Sequence, residues 1–284
     1  MKVGASAMNT NADTLVTMLR MAFSFENWDN LILLADELLD KVYGPYREDS
    51  DQPKPVMERP LVYYLGYSNL MKGVAYQKKK LYKEAMECID QYRDLSLFSD
   101  GSKSNANIIE DFSFLAKANS YTLEISSGNT DSIEEYASFI HQYPSETLPG
   151  LVTILECANK HDLDVDTIVN PLLEYIKKMN HRDLNPTDRS YYLSILYLIS
   201  IYHLKKSNYK EAIHYTIKSL IFADNIEDHR HFKKSVALFE VFRSHATRQQ
   251  RDTYAAVLKN YLTLAIEHED GFSLDNGRHG SAWP

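Results

Sequence analysis

Tyr82-Lys83-Glu84-Ala85 returns 127 residues later as Tyr209-Lys210-Glu211-Ala212. Each copy follows a long apolar stretch that ends in lysines, and each precedes a second amphipathic stretch. Self-similarity of this kind requires one supersecondary unit used more than once. Within the first unit, Gly73, Tyr76, Tyr82, Ala85, Ile89 and Tyr92 follow a helical spacing. Gly73 and Ala85 let two antiparallel helices approach closely, while Tyr76, Tyr82, Ile89 and Tyr92 fill the groove between neighbouring hairpins. The late copy keeps Tyr209 and Ala212 but puts Ser200 and His203 where the first has glycine and tyrosine. A degenerate third copy runs from Leu115 through Ala118, Tyr121, Ile133, Tyr136 and Ile140.

The rest of the chain agrees with a helical array. Ten glycines and nine prolines in 284 residues make about 7% against a usual sum near 12%, so turn-forming residues are scarce. Apolar residues recur at helical spacing over Thr14–Phe25 and Trp28–Val42, a hairpin within residues 8–43. Gly44-Pro45 stops it, and residues 44–60, with Pro53, Pro55 and Pro60 among charges, read as a loop or hinge. An array over residues 61–268 follows, which brings the expected total to about twelve helices and no strand. Asn185-Pro186 has the chemistry of a helix start, and Pro171 should kink its helix or shift where it begins. Residues 1–7 and 269–284 carry no helical pattern and read as a terminal extension and a tail.

Composition and motifs exclude several classes of function. A formal charge of −8 argues against a broadly basic nucleic-acid surface. Two cysteines, Cys88 and Cys157, lie in apolar helical patterns and read as buried reduced thiols rather than a disulfide or zinc framework. No signal peptide or bilayer-spanning run is present, so the expectation is a cytoplasmic chain with no membrane contact. There is no phosphate loop, no G-x-S-x-G, no C-x-x-C and no H-E-x-x-H; we expect no enzyme, no cofactor and no metal. His229 and His231 diverge on a helix and read as a solvated helix start, His203 and His214 as buried histidines, and Lys78-Lys79-Lys80 and Lys205-Lys206 as cations at negative helix ends.

Gly73, Tyr76, Tyr82, Ala85, Ile89 and Tyr92 resemble a tetratricopeptide repeat. The resemblance implies helical hairpins stacked into a right-handed superhelix. Wider runs, including Trp28-Asp29-Asn30-Leu31, Val62 to Ala75, Leu148 to Glu156 and Phe232 to Glu240, look like the repeat part of Gram-positive transcriptional regulators. Those regulators couple a helix-turn-helix domain to such repeats and are similar in design to quorum-sensing proteins that bind short peptides. The sequence before Thr14 holds no helix-turn-helix pattern, so on this reading DNA is reached only through a domain outside this chain.

The resemblance places the first helix of each pair along a peptide groove. In that register Tyr67, Leu70, Val74 and Gln77 face it, with Asn69 close to the same face. Asn119 joins from the degenerate copy, and Tyr197, Ile201 and Leu204 from the late one. Side-chain amides at Gln77 and Asn119 suit a peptide backbone, since each can donate and accept. The expected partner is a short peptide or protein segment, with a homodimer as the expected assembly. The alternatives are a scaffold for a folded protein, a response-regulator phosphatase, and a generic helical bundle.

Overall fold

The computed structural model describes residues 11–46, 56–179 and 183–270. Among them there are twelve α-helices and no strand. The helices are α1 (Ala12–Ser24), α2 (Trp28–Tyr43), α3 (Leu61–Lys78), α4 (Tyr82–Arg93), α5 (Lys103–Ser127), α6 (Ser132–Gln142), α7 (Thr147–His161), α8 (Asp166–Lys177), α9 (Pro186–Lys205), α10 (Tyr209–Asn225), α11 (His229–Phe242) and α12 (Arg248–Asp270). The terminal extension, most of the 44–60 segment, the break at residues 180–182 and all but the first two residues of the 269–284 tail lie outside the described residues.

Local chemistry explains the helix starts. Asn11, Asn27, Ser102, Asn185 and Asp228 each accept a bond from a first-turn amide of the helix they precede, which satisfies a donor that the helix cannot. The Ser102 cap starts α5 at Lys103, four residues before Asn107, where the apolar periodicity alone predicts the helix to begin. α8 runs through Pro171 and begins at Asp166.

Five of the turns between helices share one geometry. Glu26, Lys80, Asp162, Ser207 and Glu227 all have positive φ, between 54° and 63°. After each, the next amide reaches back five residues: Asn27 to Ala22, Leu81 to Tyr76, Leu163 to Ala158, Asn208 to His203, and Asp228 to Ala223, at 2.8–3.1 Å. This is the Schellman closure made without glycine. The closure precedes both Tyr-Lys-Glu-Ala helices and three others.

The contacts divide the chain into two units, residues 1–136 and 137–284. In the first, α3 packs against α2 and α4, and α4 against α5. The approach is closest at two glycines. A Cβ on Gly73 would stand 3.2 Å from the Cβ of Cys88, and one on Gly66 would overlap the Phe112 ring. Tyr64 is fully buried; its hydroxyl donates to Asp13 and accepts from the Arg59 amide, tying residues 58–60 to α1 and α3. Burial, helped by Asp13, pushes the Tyr64 phenol up to about 12.

The second unit centres on α9 and α10, with α7 on α9 and α11 on α10. Tyr202 donates to Asp166 at 2.8 Å and accepts from the Val165 amide at 3.0 Å. Lys206 bridges Asp164 and Asp166, and Lys205 bonds Asp162 and the Asn159 carbonyl. Those two lysines therefore hold the α7–α8 connection. Near the end of the unit Tyr254 stacks on Phe239 at 3.8 Å.

Candidate functional site

Three helical stripes surround one groove in the first unit. α2 contributes Asp36, Leu39, Asp40 and Tyr43; α3 contributes Leu65, Asn69, Lys72 and Tyr76; α4 contributes Glu84, Glu87, Cys88 and Gln91, with Leu95 and Phe98 beyond it. Within each stripe the residues recur at i, i+3, i+4 and i+7 or at i, i+4, i+7 and i+11, so every member lies on one side of its helix. The groove has two hollows, of about 600 and 250 Å³. Asn69 and Gln91 line both and form the waist between them.

The two ends differ in chemistry. At one end Leu39, Tyr43, Leu65, Leu95 and Phe98 present apolar surface bordered by Asp36 and Asp40, and at the other Lys72, Tyr76, Glu84 and Glu87 meet. Lys72 donates to Asp36 at 2.6 Å. Burial opposes the charge on Lys72, but the Asp36 bond and field outweigh it and hold the ammonium above its ordinary value. Burial pushes the Cys88 thiol up to about 11, so it stays protonated at neutral pH and is no nucleophile. Among the described residues, no group of three or more His, Cys, Asp or Glu side chains is placed to hold a metal ion.

In the late hairpin this face is packed on its first helix and open on its second, where Glu211, His214 and Lys218, the counterparts of Glu84, Glu87 and Gln91, line a hollow of about 670 Å³. At the 127-residue offset Asn69 corresponds to Leu196, Lys72 to Ile199, Cys88 to Tyr215 and Leu95 to Phe222. Leu196, Ile199 and Tyr215 are buried. Tyr215 stacks on His203 at 5.6 Å, and Phe222 meets Tyr192 edge-on at 4.9 Å. Burial lowers the His203 pKa and favours its neutral form.

The sequence-derived candidates do not all meet at one place. Asn69 lines the waist, where its amide also donates to the Leu65 carbonyl at 2.9 Å. Tyr67 lies elsewhere on α3, stacked on Tyr63 at 5.6 Å with the Arg20 guanidinium over its ring. The two therefore do not share a face, because positions two apart on a helix diverge by about 200°. Gln77 is half-buried near the end of α3. Asn119 donates to the hydroxyl of buried Tyr92 at 2.9 Å, a bond between α5 and α4. Tyr197 meets His231 and Lys234 of α11, and Ile201 is half-buried on α9.

The packing residues fare differently. Gly73, Ala85 and Ile89 are buried, as is Ala212, while Tyr76 and Tyr82 pack half-buried against the first core. Tyr209 stacks on His245 at 3.9 Å. Of the histidines, His203 is half-buried, His214 is exposed rather than buried, and His231 sits 3.2 Å from Asp228. Asp36, Lys72, Glu84 and Gln91 carried no signal in the sequence, because a polar stripe on one helix looks solvated until the two neighbouring helices are known.

No protein-family model, no curated protein and no solved structure matches this chain. Among the described residues no helix is long and apolar enough to cross a membrane.

Proposed function

We propose that this chain is a non-enzymatic, tetratricopeptide-like interaction module of a cytoplasmic regulator, and that it binds a short peptide or protein segment in the groove over α3. The observation that carries the reading is the contrast at the 127-residue offset. The hairpin can be built with its first-helix face packed by Leu196 and Ile199 and backed by Tyr215, yet the first copy keeps Asn69 and Lys72 beside open space. Two side-chain amides, Asn69 and Gln91, at a waist are suited to a backbone that donates and accepts.

The groove differs in place from the one that the family resemblance implies. It is walled by α2 and α4, the second helices of two hairpins, and floored by α3, a first helix. The transcriptional part of the reading rests on the sequence resemblance and places DNA contact in another domain. A scaffold for a folded protein is the second reading, favoured by Met18, Met21 and Phe25, which form an exposed apolar stripe on and just beyond α1.

Titration of a library of labelled five- to eight-residue peptides, read by fluorescence anisotropy, tests the proposal. Saturable binding is expected, and it should be lost in a double variant, Asn69→Leu with Lys72→Ile, that imports the packing of the late hairpin. Binding that survives this change unchanged would move the site elsewhere, and no binding by any peptide would leave the scaffold reading.

A further inference from the structure

Resting on that segment-binding reading, we infer that the groove selects a bipartite ligand: an extended segment with a bulky apolar residue at one end and a lysine or arginine about four residues away. The first argument is length. Along α3 the floor runs from Leu65 to Tyr76, eleven steps of 1.5 Å or about 16 Å, which is about five residues of extended chain at about 3.3 Å each. The second is direction. α3 runs opposite to α4, so Leu65 near the start of one and Leu95 just beyond the end of the other fall at the same end, while Tyr76 meets Glu84 at the opposite end.

The third argument is charge. The groove carries Asp36 and Asp40 on one wall and Glu84 and Glu87 on the other, against one lining cation, Lys72. Lys72 is already engaged by Asp36 at 2.6 Å, and the neighbouring Lys83 stands 4.0 Å from Glu87 with both side chains exposed. In the smaller hollow two carboxylates, Glu84 and Glu87, stand beside one ammonium that Asp36 already engages, which favours an incoming cation there. That cation meets Glu84 and Glu87 at the end where Tyr76 offers a ring face, over which Lys72 already lies at 5.8 Å. The apolar anchor enters the larger hollow between Leu39, Leu65, Leu95 and Phe98. Asn69 and Gln91 then face the backbone that links the two anchors.

The probes are four synthetic seven-residue peptides, titrated against the full chain at low and high salt. One carries phenylalanine and lysine separated by three serines; the others replace lysine by glutamine, replace lysine by glutamate, or set the two anchors side by side. The bipartite peptide should bind at least tenfold more tightly than each of the other three, with an affinity that falls as salt rises. In the Glu84→Gln/Glu87→Gln variant the lysine preference and the salt dependence should both disappear, while the contribution of the phenylalanine remains. Phe98→Ala should have the opposite effect, weakening all phenylalanine-bearing peptides and preserving the lysine preference. Circular dichroism of both variants confirms the fold. Equal affinity for the lysine and glutamate peptides, or a lysine preference that persists in the double variant, overturns the bipartite assignment while leaving segment binding intact. If no peptide in this set or in the wider library binds, both readings fall together.

Discussion

At the position where the hairpin α3–α4 has the small Cys88, the hairpin α9–α10 has Tyr215; where the first has Lys72, the second has Ile199. The turns between the helices are nevertheless the same, with Lys80 and Ser207 in the same left-handed conformation and the same five-residue back-bond. The scaffold is therefore indifferent to what lines this face. One copy uses the face for packing, through the His203–Tyr215 and Tyr192–Phe222 ring contacts. The other keeps it as a groove and forgoes that apolar burial, which is the trade expected where binding and stability draw on the same surface.

The comparison can be broken most sharply at Tyr215. Truncation to alanine should cost about 3–5 kcal/mol, since it opens a cavity in a packed face. Cys88→Ala, at the equivalent position, should cost about 1 kcal/mol or less because little volume is removed. Denaturant unfolding of the two variants measures the difference, and equal losses would mean that the two faces are packed alike.

A smaller effect is expected at the helix crossing in the first unit. Gly66→Ala would drive a methyl group into the buried Phe112 ring, and should cost about 1–3 kcal/mol of overpacking strain. At the equivalent position the second unit has the fully buried Leu193, so the crossing there is built with a full side chain. Restoration of stability by Phe112→Leu in the Gly66→Ala background would assign the loss to that ring.

Acid should loosen the second unit at its last two helices. Glu240 accepts two bonds from Arg243 and one from Tyr254, which hold its carboxyl down at about 2. A carboxyl depressed by folding contributes stability that is fully present above its unfolded value near 4.5 and is lost as the pH falls toward 2. Hydrogen exchange in α12 should therefore quicken across that window, and Glu240→Gln should flatten the response. An unchanged pH profile in the variant would remove Glu240 from the account.

The smallest effect lies in the turns and should be equal in the two copies. Lys80→Gly and Ser207→Gly relieve a positive φ at 63° and 58°. Each should stabilise by about 1 kcal/mol or less, because relief of the left-handed strain is partly offset by the freer unfolded chain. Unequal shifts in thermal midpoint would show that the shared geometry does not carry shared strain.

Much of the fold was legible because its signals are local. The α3–α4 hairpin follows from apolar periodicity, the lysine-rich end of α3 and Gly73 opposite Ala85. The start of α9 follows from Asn185-Pro186. The turns at Glu26, Ser207 and Glu227 carry no glycine, so their left-handed geometry was invisible, as was the capping role of Ser102. Register put Asn69, Tyr67 and Asn119 on one groove, whereas Tyr67 stacks on Tyr63 away from Asn69. Asn119 instead supports Tyr92, and its partner lies 27 residues away in sequence.

The sequence by itself determined that this chain forms paired helices, where most of them begin and end, and which small residues let them touch. Those properties depend on caps, periodicity and side-chain size within a few turns. Only the tertiary structure decided that the α2, α3 and α4 stripes converge, that Asp36 reaches Lys72 across 36 residues, and that Leu196, Ile199 and Tyr215 are buried on the equivalent face. Each of these depends on which helix faces which, and a polar residue on a helix reads the same whether it borders water or a groove.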